Sequence, residues 1–418
     1  MFKYIVYVFF ALMYQSIYMR SSTFLIELGI KVSFSDILAL IGLNIIIFLS
    51  LIKQLSSKII YHIQDIFLFL MILTLYEFLS VVFIDKGNPD NITLGISILR
   101  NLSILLVIII LIQYVNFRNI IRIFTIVGLF NSIIAIYYYA ISLNNITYIL
   151  FTKHLWDPGI YYTLDSGILR LQGLSDDPNF FFITNFIALL SNIALILSKN
   201  SGNKLRKLFW IISFIVILST NILTFSRTGF LMVGIFFIVF LINYPKYIKY
   251  AFGFMAILLF PTYKIFELRF ENALETGGSG RIELWKVAIE GFSKSPFFGE
   301  GGRYVLKHAG NYAHNDLLEL LSSHGLLYVT IVLFLYIIAI LKLNRYKKQL
   351  KKLSKHNDFL YFQLFKLGFI TLLLSHLFFS VFYNIFIWFT LGIAIGIAYN
   401  LLFNRKKYSN YIKLAKEY

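Results

Sequence analysis

The sequence predicts an all-α polytopic membrane protein, and three observations carry that prediction. Of 418 residues, 59% are hydrophobic and only 14% charged, against about 45–50% and about 25% in an ordinary soluble domain. Mean hydropathy is +0.76, so lipid is the solvent for most of the chain. Too few polar residues remain to build the shell that a soluble core of this length needs. Third, apolar runs that can cross a hydrocarbon core of about 30 Å, which takes roughly 20 helical residues, recur along the whole chain.

These runs fall at 4–19, 36–52, 63–84, 92–115, 120–143 and 178–197, then at 208–225, 229–242, 247–266, 316–341, 359–382 and 385–403. They make about twelve transmembrane helices in one domain, residues 1–418, with no internal repeat or low-complexity stretch. The first run follows Lys3 and imitates a signal peptide. It lacks a small-residue cleavage site, so it reads as a retained span.

Charge gives the orientation. The formal net charge of +18 could suggest a nucleic-acid partner, but the basic residues gather in alternate connections. These carry Lys53 and Lys58; Arg118 and Arg122; Lys199, Lys204, Arg206 and Lys207; Lys246 and Lys249; and the cluster at 342–355. Arg405, Lys406 and Lys407 fall on the same side. Lys and Arg mark cytoplasmic loops, so this side and both termini are expected in the cytoplasm, and no nucleic acid is needed to explain the charge. With no cysteine, disulfides, thiolate catalysis and Cys-ligated metals are excluded.

On the other side two connections, 144–177 and 267–313, exceed the length of ordinary loops. The larger lies between the ninth and tenth spans and has Leu284, Trp285, Ile289 and Phe292 at helical spacing, which predicts an amphipathic helix on the external surface.

Four ionisable residues stand at the outer ends of the later spans: Arg170, Arg227, Arg281 and His314. A single Arg at a helix end can simply snorkel to the interface. Three together suit an anion, because the guanidinium is permanently charged and its planar fork of donors matches phosphate oxygens. A lipid diphosphate brings about two negative charges that such groups could neutralise without a metal. His314 precedes Asp316 and Glu319, a D-x-x-E pattern that reads as a capping box. At a helix N-terminus the dipole favours neutral imidazole, able to take a proton, and a nearby anion. The bland alternative is a loop hydrogen bond. Glu77, Arg100, Lys366 and His376 lie inside apolar runs, where structural pairing, Glu77 with Arg100 for example, competes with a proton path. Asp176 and Asp177, before Pro178, read as caps of the next helix rather than as metal ligands.

The same segments carry a resemblance. Arg170-Leu-Gln-Gly through Asp177-Pro178-Asn179, and Phe225-Ser226-Arg227-Thr228-Gly229, come first. Ser279-Gly280-Arg281 with Trp285, Ser295-Pro296-Phe297-Phe298-Gly299-Glu300-Gly301, and His314-Asn315-Asp316 through Ser323-His324-Gly325-Leu326 follow in order. This succession, over about residues 170–327, resembles the O-antigen polymerase and ligase family of membrane glycosyltransferases of the C-type architecture.

The resemblance implies a multi-pass protein of a bacterial cytoplasmic membrane with its active site on the external face. It implies an inverting, metal-independent transfer from an undecaprenyl diphosphate-linked glycan donor, with no cofactor. By motif position Arg170, Arg227 and Arg281 would hold the diphosphate, and His314, with Arg281, would be catalytic. The acceptor would be the hydroxyl of an incoming lipid-linked repeat unit of O-antigen or capsule type for a polymerase, or lipid A core or protein for a ligase. Membrane lipids and a chain-length regulator protein would be its other partners. A flippase of lipid-linked sugars is the rival class. It would need polar groups along a midplane path in repeat-related halves, whereas the unusual charges here gather at one face of the second half.

Overall fold

The computed structural model describes residues 2–18, 23–25, 31–51, 57–84, 89–144, 160–162, 169–175, 177–198, 204–245, 267, 280–353, 356–377, 382 and 384–404. Helices dominate. They are α1 (Phe2–Tyr18), α2 (Phe34–Leu51), α3 (Ser57–Phe83), α4 (Pro89–Leu111), α5 (Phe117–Asn144), α6 (Pro178–Leu197), α7 (Lys204–Leu223) and α8 (Arg227–Asn243). Then come α9 (Arg281–Lys294), α10 (Tyr304–Ala309), α11 (Asp316–Leu353), α12 (His356–Ser375) and α13 (Ile385–Tyr399). Two short antiparallel hairpins, β1 (Thr23–Leu25) with β2 (Lys31–Ser33) and β3 (Ile160–Tyr162) with β4 (Leu169–Leu171), decorate the connections.

Seven helices among the described residues are long and apolar enough to cross a bilayer, and the segments 34–47 and 227–243 are apolar but shorter. Every run read from the sequence falls on a described helix except 247–266, which lies outside the described residues. Two boundaries differ. The run 359–382 ends as helix at Ser375, and α11 continues past 341 to Leu353 because its basic tail keeps helical spacing. That helix is also broken, at Gly325.

Packing follows the logic of a lipid-solvated bundle. Helix α13 is buried along its whole length and α6 along most of it. The outer helices turn large apolar side chains outward, such as Leu68 and Leu75 on α3, Ile212 and Ile215 on α7, and Phe334 and Ile337 on α11. Polar residues occupy the interior instead, as hydrogen-bonded glue between helices. The Asn185 amide donates to Asn221 Oδ1 at 2.9 Å and Thr220 Oγ1 at 3.0 Å and accepts from the Tyr18 hydroxyl at 2.8 Å, joining α1, α6 and α7.

The two ends of the bundle differ in chemistry. At one end the basic residues are tied between helices: Arg118 Nη2 to Asp358 Oδ1 at 2.5 Å, Lys342 to Asp65, and Lys347 Nζ to Asn243 Oδ1 at 3.1 Å. The N-termini of α6, α8, α11 and α13 meet at the other end, and the four singled-out residues lie there.

Candidate active site

The site is built on the break in α11. Gly325 has φ +73 and ψ −175, so the helix stops at His324 and restarts at Leu326. The freed main-chain groups are taken by the segment 296–301. Glu300 and Gly301 donate to the carbonyls of Ser322 and Ser323 at 2.9 and 3.0 Å, while Leu326 donates back to Pro296 O at 2.8 Å. Two backbones therefore lie directly against each other, and both need glycine at the crossing. A Cβ on Gly325 would stand 2.4 Å from Phe297 O, and one on Gly299 2.3 Å from His324 N. The Ser295–Gly301 and Ser323–Gly325 motifs are the two halves of this interlock.

Upstream, α9 packs on a small core of its own, where Ala288, Tyr304, Val305 and Ala313 are buried and Leu284, Trp285, Val287 and Leu318 pack against them. The amphipathic helix is present with Leu284 and Trp285 packed inward as expected, whereas Ile289 is 53% exposed and Ala288 and Gly291 are buried. Gly280, at φ +76, starts the helix in a left-handed conformation that glycine accommodates. Arg281 follows as its first residue.

Trp285, one turn beyond Arg281, donates from Nε1 to Ala313 O at 2.9 Å. Glu319 Oε2 accepts the Ala313 N–H at 2.8 Å. Both main-chain groups of the residue before His314 are thus clamped, one by the helix of Arg281 and one by α11. The expected capping box is therefore different: Asn315 caps α11 by accepting from Leu318 N at 3.1 Å, and Glu319 reaches back to Ala313. The Asp316 carboxylate pairs with His376 Nδ1 and accepts from Phe382 N at 2.9 Å.

His314, with φ +52, has its imidazole held below the ordinary range by burial first and then by Arg281, while Asp177 partly offsets the shift. Arg281 is itself lowered by burial and by the Arg227 guanidinium. Arg227, Arg281, His314 and Asp177, far apart in sequence, thus form one electrostatic cluster. A cation held against a second cation in a poorly solvated place favours an anion between or beside them.

Arg227 opens α8 behind the Ser226 cap, whose Oγ accepts from Gly229 N at 3.0 Å and donates to Asn179 Oδ1 at 2.6 Å. Arg170, on β4, is 6% exposed; its Nε donates to Thr224 O at 2.9 Å and its Nη2 to the same Asn179 Oδ1 at 3.1 Å. The structure therefore brings Arg170 to the site as a brace of the Thr224–Arg227 turn. Asp177 caps α6, accepting from Asn179 N and Phe180 N at 2.6 and 3.3 Å, as the sequence suggested. Asp176 lies outside the described residues.

Beside His314 opens a cavity of about 350 Å³ whose lining includes Arg100, Asp177, Arg303, Asp316, Glu319 and His324. Arg170, Arg227 and Arg281 are not among the described residues that line it. Three non-glycine residues with positive φ surround the site: Phe225 at +46, two residues before Arg227, and the cavity-lining Arg303 at +58 and His314 at +52. Such conformations cost about 1–3 kcal/mol each and concentrate at functional sites.

The intramembrane pairs differ from those expected. Glu77 binds His324 Nε2 at 3.0 Å and the Tyr328 hydroxyl at 2.8 Å, and Arg100 faces Asp36 at 3.6 Å. His324 is thus a buried structural group on the cavity wall. Lys366 bonds Asn344, and His376 joins Asp316 and Tyr336. Sequence reasoning missed Asn179, Arg303 and the clamp on Ala313. Trp285 and Glu319 were visible as helix residues, but nothing local announces that both reach the same residue.

No curated protein matches the chain. The O-antigen ligase family model matches residues 212–335. That stretch holds Arg227, Arg281, Trp285, His314 and the hinge at Gly325, while Arg170 and Asp177 lie before it. Over residues 212–335, less than a third of its length, the chain is similar to the O-antigen ligase family.

Proposed function

We propose that the protein is a polymerase of lipid-linked polysaccharide repeat units, of O-antigen or capsule type, acting at the external face of a bacterial cytoplasmic membrane. The observation that carries this reading is the bond from Trp285 Nε1 to Ala313 O at 2.9 Å, which ties the helix opened by Arg281 to the residue before His314: an anion site and a proton acceptor would stand together. The acceptor hydroxyl of the incoming repeat unit attacks the anomeric carbon of the glycan on undecaprenyl diphosphate. The new C–O bond forms as the bond to the diphosphate breaks, with inversion, and His314 takes the hydroxyl proton. The electron pair leaves with the diphosphate, whose charge Arg227 and Arg281 stabilise and whose cradle Arg170 braces. Two guanidinium groups supply this stabilisation without a divalent metal, so activity is expected to persist in excess chelator.

The name of the matching family, O-antigen ligase, favours a second reading with the same donor chemistry and lipid A core or protein as acceptor. The glycan profile of a deletion strain separates the two. Single repeat units capped on the acceptor indicate a lost polymerase; long undecaprenyl-linked chains that accumulate indicate a lost ligase, and an unchanged profile rejects both. Sidedness has a separate test, since the chain has no native cysteine. Ser293→Cys should label with an impermeant thiol reagent in intact cells and Lys352→Cys should not; the reverse pattern would put the site on the wrong side.

A further inference from the structure

His314 feels Arg281, and Arg281 feels Arg227. His314 also lines a cavity that Arg170, Arg227 and Arg281 do not line among the described residues. There Arg100 and Arg303 stand with the carboxylates of Asp177, Asp316 and Glu319, and Asp316 is already paired with His376. The charges in the cavity are thus of both signs, unlike the arginine cluster that suits a diphosphate. A neutral polyhydroxylated ring needs no excess of either sign. It can donate hydroxyls to carboxylate and amide oxygens, and it can lay its apolar C–H face on aromatic carbon.

The cavity supplies both. Asn311 and Asn384 add amides, and Tyr312, 37% exposed on the lining, offers an accessible ring. Its volume of about 350 Å³ lies at the small end of ligand pockets, enough for the terminal sugar of a glycan and too little for a lipid-anchored chain.

We propose that this cavity is the acceptor subsite, that it takes the uncharged non-reducing-end sugar of the acceptor glycan, and that Tyr312 is its stacking platform, so that donor diphosphate and acceptor sugar meet at His314. The inference rests on the transferase reading above and adds where the acceptor binds and what chemistry it has.

Ser97 provides a clean test. It lines the cavity from α4, but its hydroxyl is bonded to Thr93 O in its own helix at 2.9 Å, so replacing it adds bulk without orphaning a partner. With purified protein, a lipid-linked donor and a soluble oligosaccharide acceptor, initial rates give KM for each substrate. Ser97→Leu and Tyr312→Ala should each raise the acceptor KM at least tenfold and leave the donor KM within about twofold. Ser97→Ala and Tyr312→Phe, which keep the space and the ring, should resemble the native protein. Arg281→Lys should show the opposite pattern, a raised donor KM with the acceptor KM unchanged. A donor KM raised by Ser97→Leu would assign the cavity to the donor sugars and overturn the proposal, as would an acceptor KM unmoved by both disruptive variants. A native protein with no transfer at all would instead reject the transferase reading itself.

Discussion

Arg118 and Arg281 are both arginines at the first turns of helices, at opposite ends of the same bundle, and their surroundings are opposites. Arg118 lies 2.5 Å from Asp358 on a neighbouring helix, and its side chain is 32% exposed. The charged form of Arg281 is disfavoured first by burial and then by another arginine, Arg227. The first is a tie between helices, its charge neutralised by a carboxylate that is itself only 6% exposed. The second holds positive charge where the fold itself gains nothing from it. Charge count is equal at the two positions; what distinguishes structure from function is whether the neighbours neutralise the charge or concentrate it.

The largest effect that tests this contrast belongs to His314, which shares the field of Arg281. General-base assistance is worth about 10²–10⁴ in rate, so His314→Ala should abolish long-chain product while the protein still reaches the membrane. His308 is the matched control. Its Nδ1 lies 2.9 Å from Tyr304 O and its ring stacks on Tyr304, away from the cluster, and His308→Ala should keep most activity. His324 cannot serve as a control, because it is buried against Glu77. Full activity in His314→Ala would sink the proton-transfer role and leave the arginine site standing.

Next comes the arginine pair itself. Lysine keeps the charge and loses the planar fork, so Arg281→Lys should lower kcat/KM by at least tenfold, whereas Arg118→Lys keeps an ion pair with Asp358 and should change it less than twofold. Equal, small losses in both would mean that Arg281 only snorkels.

A third test contrasts two glycines that share a positive φ but differ in ψ, 0 at Gly280 and −175 at Gly325. Gly325 and Gly280 have φ of +73 and +76, but a Cβ on Gly325 would strike Phe297 O at 2.4 Å while one on Gly280 meets nothing within 4 Å. Gly280→Ala should therefore cost only the left-handed penalty, about 1–2 kcal/mol, and Gly325→Ala clearly more, read as a larger fall in melting temperature and a loss of activity. Similar falls for both would mean that the crossing of 296–301 over the helix break does not hold the site together.

What the sequence shows and hides follows from the range of each interaction. The spans are legible because each is a local run of apolar residues set by membrane thickness, and the N-terminal cap by Asp177 is legible because its partners are two and three residues away. The arginines are legible as charges in the wrong place. The clamp on Ala313 is not, since Trp285 and Glu319 approach one residue from 28 and 6 positions away with no local pattern. The capping box misled for a similar reason: Asp316 has the right spacing, but His376, 60 residues downstream and just past the end of another helix, takes its carboxylate. The Glu77–Arg100 expectation matched two intramembrane charges by sign alone, whereas the fold set Glu77 against His324 and Tyr328. The SPFFGEG and SHG segments were visible as motifs, yet only the reciprocal main-chain bonds explain why each needs its glycine.

The smallest predicted effect is the most specific to the electrostatics of the cluster. Asp177 raises the His314 pKa, against the larger lowering by burial and Arg281. Asp177→Asn removes that charge but keeps a side-chain oxygen to cap α6, since Asn and Asp are nearly equal as caps, so the fold should be unchanged. The imidazole is the base in its neutral form, and activity is lost as pH falls through its pKa. In the native protein that acid limb of kcat/KM should lie below the ordinary imidazole value of about 6.5. Without Asp177 the imidazolium is less stable, the pKa falls further, and the limb should move to still lower pH. At neutral pH the same loss of imidazolium stabilisation should slow proton transfer by less than about tenfold, the equivalent of one pKa unit. A limb that stays in place would show that Asp177 acts only as a cap. A limb that moves up would mean that the titrating base is not His314.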